Sequence, residues 1–74
     1  MQFDYSKLLG RLKEYGVTQA ALATFLGISA STLSLKLNNK AAFSQDEIRS
    51  ICELLEIPDD QIGIYFFKEK VQKV

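Results

Sequence analysis

The 74-residue sequence predicts one all-α domain of five short helices. Two features indicate this fold class. Apolar residues recur at the spacing of a buried helix face along most of the chain, and serine, threonine, glycine and proline stand between these stretches, where helices begin and end. A hydrophobic content of 47% is sufficient for a compact core. We therefore expect a single domain over residues 1–74, with its core at about 3–66 and a tail at 67–74.

The first two helices have clear start and stop residues. Asp4 or Ser6 is suited to cap the first helix and Gly16 to end it, and Thr18 and Gly27 are suited to the same roles in the second. The apolar stripe of the first helix consists of Tyr5, Leu8, Leu9, Leu12 and Tyr15. The inward side of the second helix is expected to consist of Leu22, Ala23, Phe25 and Leu26.

The third helix is predicted to begin after Ser29 and to end at Asn38 and Asn39, because asparagine tolerates the left-handed conformation. Ile28, just before the cap, is expected to pack on Leu33 as a hydrophobic staple. These features place Leu33 and Leu37 on the core side of the helix.

The fourth helix has the clearest start signal, since Ser44 and Glu47 have the spacing of a capping box. Pro58 requires this helix to end near Glu56 and favours a short fifth helix after it. The β-favouring run Ile64–Phe67 leaves the C-terminal segment as a helix, a short strand or a frayed tail.

Several classes of protein are unexpected from the composition. The chain has no histidine and one cysteine, Cys52, so we expect no metal site, no disulfide within the chain and a reducing compartment. No nucleophile–base pair is evident, and we expect neither an enzyme nor a cofactor nor a small-molecule ligand. The longest apolar run is too short to span a membrane, and the first residues lack the order of a signal peptide. The expected location is the bacterial cytoplasm, at the nucleoid when the protein is bound there.

The charges are unevenly distributed although the net charge is zero. Residues 1–42 carry five basic and two acidic side chains, a net charge of +3, while residues 43–74 carry four basic and seven acidic ones, a net charge of −3. A basic half is typical of a protein that meets phosphates with one face.

A family resemblance rests on the stretch from Gln19 to Leu33, which has the pattern Q-x-x-L-A-x-x-L-G-I-S-x-S-T-L. It resembles the helix-turn-helix of the lambda-repressor-like and Cro-like phage regulators, and the helix order resembles that family over about residues 3–66. The segments MQFDYSKL and SLKLNNK are similar to short phage-encoded regulators of Gram-positive hosts. Many family members have an apolar residue where this chain has Lys36, so Leu37 is expected to take over the packing and to rotate the third helix slightly.

The resemblance implies a set of DNA contacts. The predicted base-reading residues are Gln19, Ser29, Ala30, Ser31, Ser34 and Leu35. The predicted phosphate contacts are Thr18, Gln19, Lys36, Asn38, Asn39 and Lys40. The central reading face has no arginine, glutamine or asparagine, which predicts modest sequence specificity. Alternative roles are helix capping for Ser29, helix termination for Asn38 and Asn39, and ordinary solvated surface for Lys36 and Lys40. Gln19 is alternatively a helix former only, and Leu35 a single exposed leucine without a role.

Two functions follow from these features. The first is a Cro-type phage repressor that binds a double-stranded operator as a homodimer and inserts its third helix into the major groove. The second is a modulator or antirepressor that docks on a cognate phage repressor, which the zero net charge and Leu35 favour. Contacts with a second copy or a partner are predicted at Ile64, Tyr65, Phe66 and Phe67. The alternative is that these residues simply complete a small core.

Overall fold

The computed structural model describes residues 2–70. Five α-helices occupy most of this part of the chain: α1 (Ser6–Glu14), α2 (Gln19–Leu26), α3 (Ala30–Leu37), α4 (Gln45–Leu54) and α5 (Ile62–Phe66). A 3₁₀ turn at Asp59–Gln61 leads into α5. The predicted all-α fold of five helices is therefore confirmed. None of these helices is by itself long and apolar enough to cross a membrane.

The capping residues of α2, α3 and α4 have the roles that the sequence indicates, whereas the N-cap of α1 is Tyr5, whose side chain makes no capping hydrogen bond, and not Asp4 or Ser6. The Thr18 side chain accepts a hydrogen bond from the backbone N–H of Ala21 at the start of α2. Ser44 and Glu47 form both hydrogen bonds of a capping box at the start of α4. Gly27 ends α2 in the left-handed conformation with φ of 73°, a conformation that glycine adopts without a steric penalty.

The core lies between α1, the α2–α3 pair, α4 and α5. Its fully buried large side chains are Leu8, Leu22, Leu33, Ile51, Leu55 and Phe66. Three residues that the sequence assigns to the apolar faces are instead exposed, with 36% exposure for Leu9, 38% for Tyr15 and 52% for Phe25. Phe25 lies about 100° around α2 from the middle of the face that Leu22, Ala23 and Leu26 turn inward, which explains its exposure.

The C-terminal segment is neither a strand nor a frayed end as far as Lys70. Phe3 and Glu69 form an isolated antiparallel bridge. The N–H of Asp4 donates to the carbonyl of Lys68 at 2.6 Å, and the N–H of Lys70 donates to the carbonyl of Gln2 at 3.0 Å. The expected tail at 67–74 thus pairs with the start of its own chain up to Lys70, while residues 71–74 lie outside the described residues.

Aromatic rings join the chain ends to the core. The Phe3 ring meets the Phe67 ring edge-on with centroids 5.7 Å apart. The ring of Phe43 lies in the same edge-on geometry between Tyr5 and Phe66, at 5.5 and 5.7 Å. Edge-to-face pairs of this kind contribute about 0.5–1.5 kcal/mol beyond their buried area. The rings therefore fix the first residues of the chain against α5.

Candidate interaction surface

The helices α2 and α3 form a bent pair across residues 27–29. The chain direction turns by 106° between them, within the range of helix-turn-helix units. Ala23 is 2% exposed on the inner side of α2, so that its small side chain allows α3 to approach closely. The Ser29 hydroxyl accepts from the N–H of Thr32 at 3.0 Å and donates to the Thr32 hydroxyl at 2.8 Å. Ser29 is therefore occupied as the cap of α3.

The outer face of α3 is exposed and carries no charge. It consists of Ala30, Ser31, Ser34 and Leu35, all of which are exposed as the sequence predicts. Leu35 is 46% exposed, while Leu33 on the opposite side is 1% exposed. No charged residue occurs anywhere from Tyr15 to Leu35. We call the four residues of α3 the neutral face; its one large apolar side chain is Leu35.

Lys36 has a different partner from the phosphate that the sequence predicts. Its Nζ lies 2.6 Å from Oε1 of Glu47 and donates to the Ala42 carbonyl at 3.2 Å. The same ammonium lies 5.9 Å from the centroid of the Phe43 ring. The Lys36 side chain is only 12% exposed. Its charge is thus directed toward the start of α4, while the neighbouring Leu37 packs against the core as the sequence predicts.

The two asparagines that follow α3 are also occupied. The Asn38 amide donates to the Ser34 carbonyl at 2.8 Å and so closes the helix. Asn39 has a φ of 63°, and its side chain both accepts from the N–H of Phe3 at 2.8 Å and donates to the carbonyl of Phe3 at 3.0 Å. Asn38 therefore terminates α3, and Asn39 attaches the N-terminal segment to the residues that follow α3.

The remaining predicted phosphate contacts lie on the surface. Thr18, Gln19 and Lys40 are exposed, although the Thr18 hydroxyl caps α2. The neutral face and Gln19 therefore remain accessible to a partner. Four of the residues predicted to contact DNA instead make hydrogen bonds or an ion pair within the protein: Ser29, Lys36, Asn38 and Asn39.

The predicted dimer contacts divide into two groups. Tyr65 and Phe66 are 8% and 1% exposed and belong to the core, so the structure does not offer them as partner contacts. Ile64 and Phe67 are 44% and 52% exposed. These two side chains can be reached by a second molecule.

A network that the sequence analysis does not predict joins α1 to the end of α4. The Arg11 guanidinium donates to the carbonyls of Leu55 and Glu56 at 2.9 and 3.0 Å. The Tyr15 hydroxyl donates to the Glu56 carboxylate at 2.9 Å, and this hydrogen bond raises the pKa of Tyr15 above its ordinary value. Glu56 has a φ of 53°. The sequence does not indicate this left-handed conformation, because a glutamate two positions before a proline does not by itself predict one.

A groove of about 790 Å³ lies along the outer side of α4. Its apolar floor consists of Ile48, Cys52, Ile57, Ile62 and Phe67. Its charged rim consists of Arg49, Glu53, Glu56 and Asp59. Burial raises the pKa of the Cys52 thiol, as does the nearby Asp59 carboxylate, so Cys52 belongs to the apolar floor. We call this feature the α4 groove.

Comparison with a solved structure gives the class of protein. The solution structure of the modulator of repression (MOR) of the temperate bacteriophage TP901-1 from Lactococcus lactis is similar, with a TM-score of 0.76 and 43% sequence identity over 97% of each chain. This similarity supports a phage regulatory role. The chain belongs to the DUF739 family, described as proteins of unknown function, whose model matches residues 1–69. A search of curated proteins gave no match.

Proposed function

We propose that the protein is a modulator of repression that acts by binding a cognate phage repressor, rather than by binding an operator itself. The similar phage protein bears that description, and its sequence is 43% identical over nearly the whole chain. The neutral face of α3 is the single feature of the geometry that carries the proposal, because it lacks the chemistry on which DNA binding depends and has the chemistry of a protein interface.

The lack of charge on α2, and on α3 as far as Leu35, weighs against DNA. Lysine and arginine contacts to phosphates supply essentially all nonspecific affinity for DNA and a large share of specific affinity. From Tyr15 to Leu35 there is no cation, and the Lys36 ammonium is held 2.6 Å from the Glu47 carboxylate. If α3 lay in the major groove, its exposed face would offer serine hydroxyls and a leucine, but no cation, to the surrounding phosphates.

The same composition suits a protein partner. The centres of protein interfaces are depleted in charge and exclude water from apolar side chains. Leu35 stands among small residues, namely Ala30, Ser31 and Ser34. We propose that it enters an apolar pocket of the repressor while the serines bond to its backbone or side chains.

DNA binding remains a second candidate because of the α2–α3 geometry. The 106° turn between the helices is that of DNA-binding units. Exposed Gln19 and Lys40 lie at the start of α2 and beyond the end of α3. The basic side chains of residues 1–42 would have to supply the phosphate contacts.

Two binding measurements separate the candidates. In a gel shift with DNA from the regulatory region of the same phage, the proposal predicts no binding by the protein alone at low salt. In a titration with the purified repressor of that phage, it predicts a stoichiometric complex. Binding to DNA that falls steeply with salt, without a complex with the repressor, would establish the second candidate instead.

A matched pair of variants tests the neutral face. Leu35→Glu and Leu9→Glu change leucines that are 46% and 36% exposed, so neither should unfold the domain. Leu35→Glu is expected to weaken repressor binding by at least tenfold, because a carboxylate cannot enter an apolar pocket without losing its hydration. Leu9→Glu, on α1, is expected to leave binding within about twofold of the wild type. Equal effects of the two variants would rule out the neutral face as the docking surface.

A further inference from the structure

The α4 groove has features of a second interaction surface that differs in chemistry from the neutral face. It follows one whole face of α4, since Gln45, Ile48, Arg49, Cys52 and Glu53 recur at helical spacing along its wall. With a rise of 1.5 Å per residue, this wall is about 15 Å long, equivalent to about three turns of a second helix. The other wall is formed by the segment from Ile57 to Phe67.

The floor of the groove leaves apolar surface in contact with water. Phe67 is 52% exposed, and Ile48 and Ile62 are only partly buried. Covering such a surface is favourable by about 25 cal/mol for each Å² removed from water. One wall is the helix α4 and the other contains the 3₁₀ turn and α5, so an extended peptide would find no strand edge to pair with along these described residues. A helix suits the groove better, because its backbone N–H and C=O groups are already hydrogen-bonded within the helix.

The rim selects the charge of that occupant. Glu53, Glu56 and Asp59 are exposed along it, and among the described residues that line the groove they are opposed by one cation, Arg49. Residues 43–74 have a net charge of −3, which extends the negative field beyond the groove itself. An acidic helix or a nucleic acid would be repelled, whereas lysine or arginine side chains flanking an apolar stripe would lie opposite the carboxylates.

We propose that the α4 groove binds a cationic amphipathic helix of a partner protein. The apolar stripe of that helix lies on Ile48, Ile62 and Phe67, and its basic side chains reach Glu53 and Asp59. This surface is independent of Leu35, so the protein would hold two partners, or two parts of one partner, at separate places.

The test uses the full chain and a synthetic probe. An 18-residue amphipathic helix of leucine and lysine is titrated into the ¹⁵N-labelled protein, with a leucine–glutamate helix of the same pattern as the control. The expected result is a set of amide shift changes on α4 and at Ile62 and Phe67 with the lysine peptide alone. Absence of binding, equal binding of the glutamate peptide, or shifts centred on the neutral face would overturn the proposal.

Charge variants on exposed positions sharpen the result. Glu53→Lys should weaken binding of the lysine peptide about three- to tenfold, because one exposed ion pair is replaced by a repulsion. Arg49→Glu should strengthen it. Asp60→Lys makes the same charge change as Glu53→Lys outside the groove lining and should change the affinity by less than about twofold. If Glu53→Lys and Asp60→Lys act equally, the peptide responds to net charge alone and the groove is not its site.

Discussion

Lys36 and Glu47 join the end of α3 to the start of α4 through a single carboxylate oxygen. Oε1 of Glu47 lies 2.6 Å from the Lys36 Nζ and also accepts the backbone N–H of Ser44 at 2.8 Å. The two side chains are 12% and 14% exposed. Lys36, one of the residues that the sequence predicts to contact DNA, thus pairs with the carboxylate that caps the next helix.

Lys36→Met should destabilise the protein by about 1–3 kcal/mol, because it leaves the Glu47 carboxylate poorly solvated and without its cation. Lys40→Met removes an exposed cation close by and should change the free energy of unfolding by less than about 0.5 kcal/mol. Urea denaturation of the two variants measures the difference. Similar midpoints would mean that the ion pair contributes nothing to the stability of the fold.

Stability should also fall in acid through Glu47. Burial alone would raise its pKa, but the hydrogen bonds from Lys36 and Ser44 outweigh this effect and place the pKa below its ordinary value of about 4.5. The contribution of Glu47 is therefore complete above about pH 4.5 and is lost as the pH falls through the pKa of the folded state. Denaturation between pH 3 and 7 should show a weaker acid dependence for Glu47→Gln than for Glu53→Gln. Identical pH profiles for the two variants would contradict the pKa shift.

Two substitutions at Asn39 separate its two roles. Asn39→Gly retains the left-handed conformation but loses the hydrogen bonds to Phe3, for which we expect a loss of about 1–2 kcal/mol. Asn39→Ala loses both and should cost about 1 kcal/mol more. Amide exchange at Asp4 and Lys70 should accelerate in both variants. Unchanged exchange there would show that the chain ends do not depend on the Asn39 side chain.

Glu56 holds a left-handed conformation against its steric preference. In a Tyr15→Phe background, where the hydrogen bond to its carboxylate is already absent, Glu56→Gly should stabilise the protein by about 0.5–1.5 kcal/mol by relieving that conformation. In the wild-type background the gain should be smaller, since the bond from Tyr15 is lost at the same time. Thermal denaturation of the four proteins of this cycle gives both numbers. A loss of stability in the Tyr15→Phe background would contradict the interpretation.

Local signals in the sequence predict the helices well. Thr18, Ser29 and Ser44 cap helices as expected, and Gly27 ends one, because each of these roles depends on residues within four positions along the chain. The exposure of the neutral face can also be predicted from nearby residues, because helix geometry alone places Leu35 about 200° around α3 from Leu33.

Interactions between distant residues limit the prediction of the site. The amide of Asn39 binds a backbone 36 residues away, and Arg11 binds one 44 residues away. The spacing of residues along the chain does not indicate these hydrogen bonds, because they form only when the helices pack together. The pairing of Lys36 with Glu47 is equally hidden in the sequence, because Glu47 already has a local role in the capping box of α4.

The hydrogen bonds of Asn39 and Lys36 have a consequence for recognition. Both anchor the C-terminal end of α3 or the residue that follows it, one to the N-terminal segment and the other to α4. The helix that bears Leu35 is therefore fixed in place before any partner arrives. Association requires little ordering of this backbone, and less of the gross interaction energy is lost as conformational entropy. The proposed docking of a repressor on Leu35 should accordingly leave the backbone of α3 in the position that it has in the free protein.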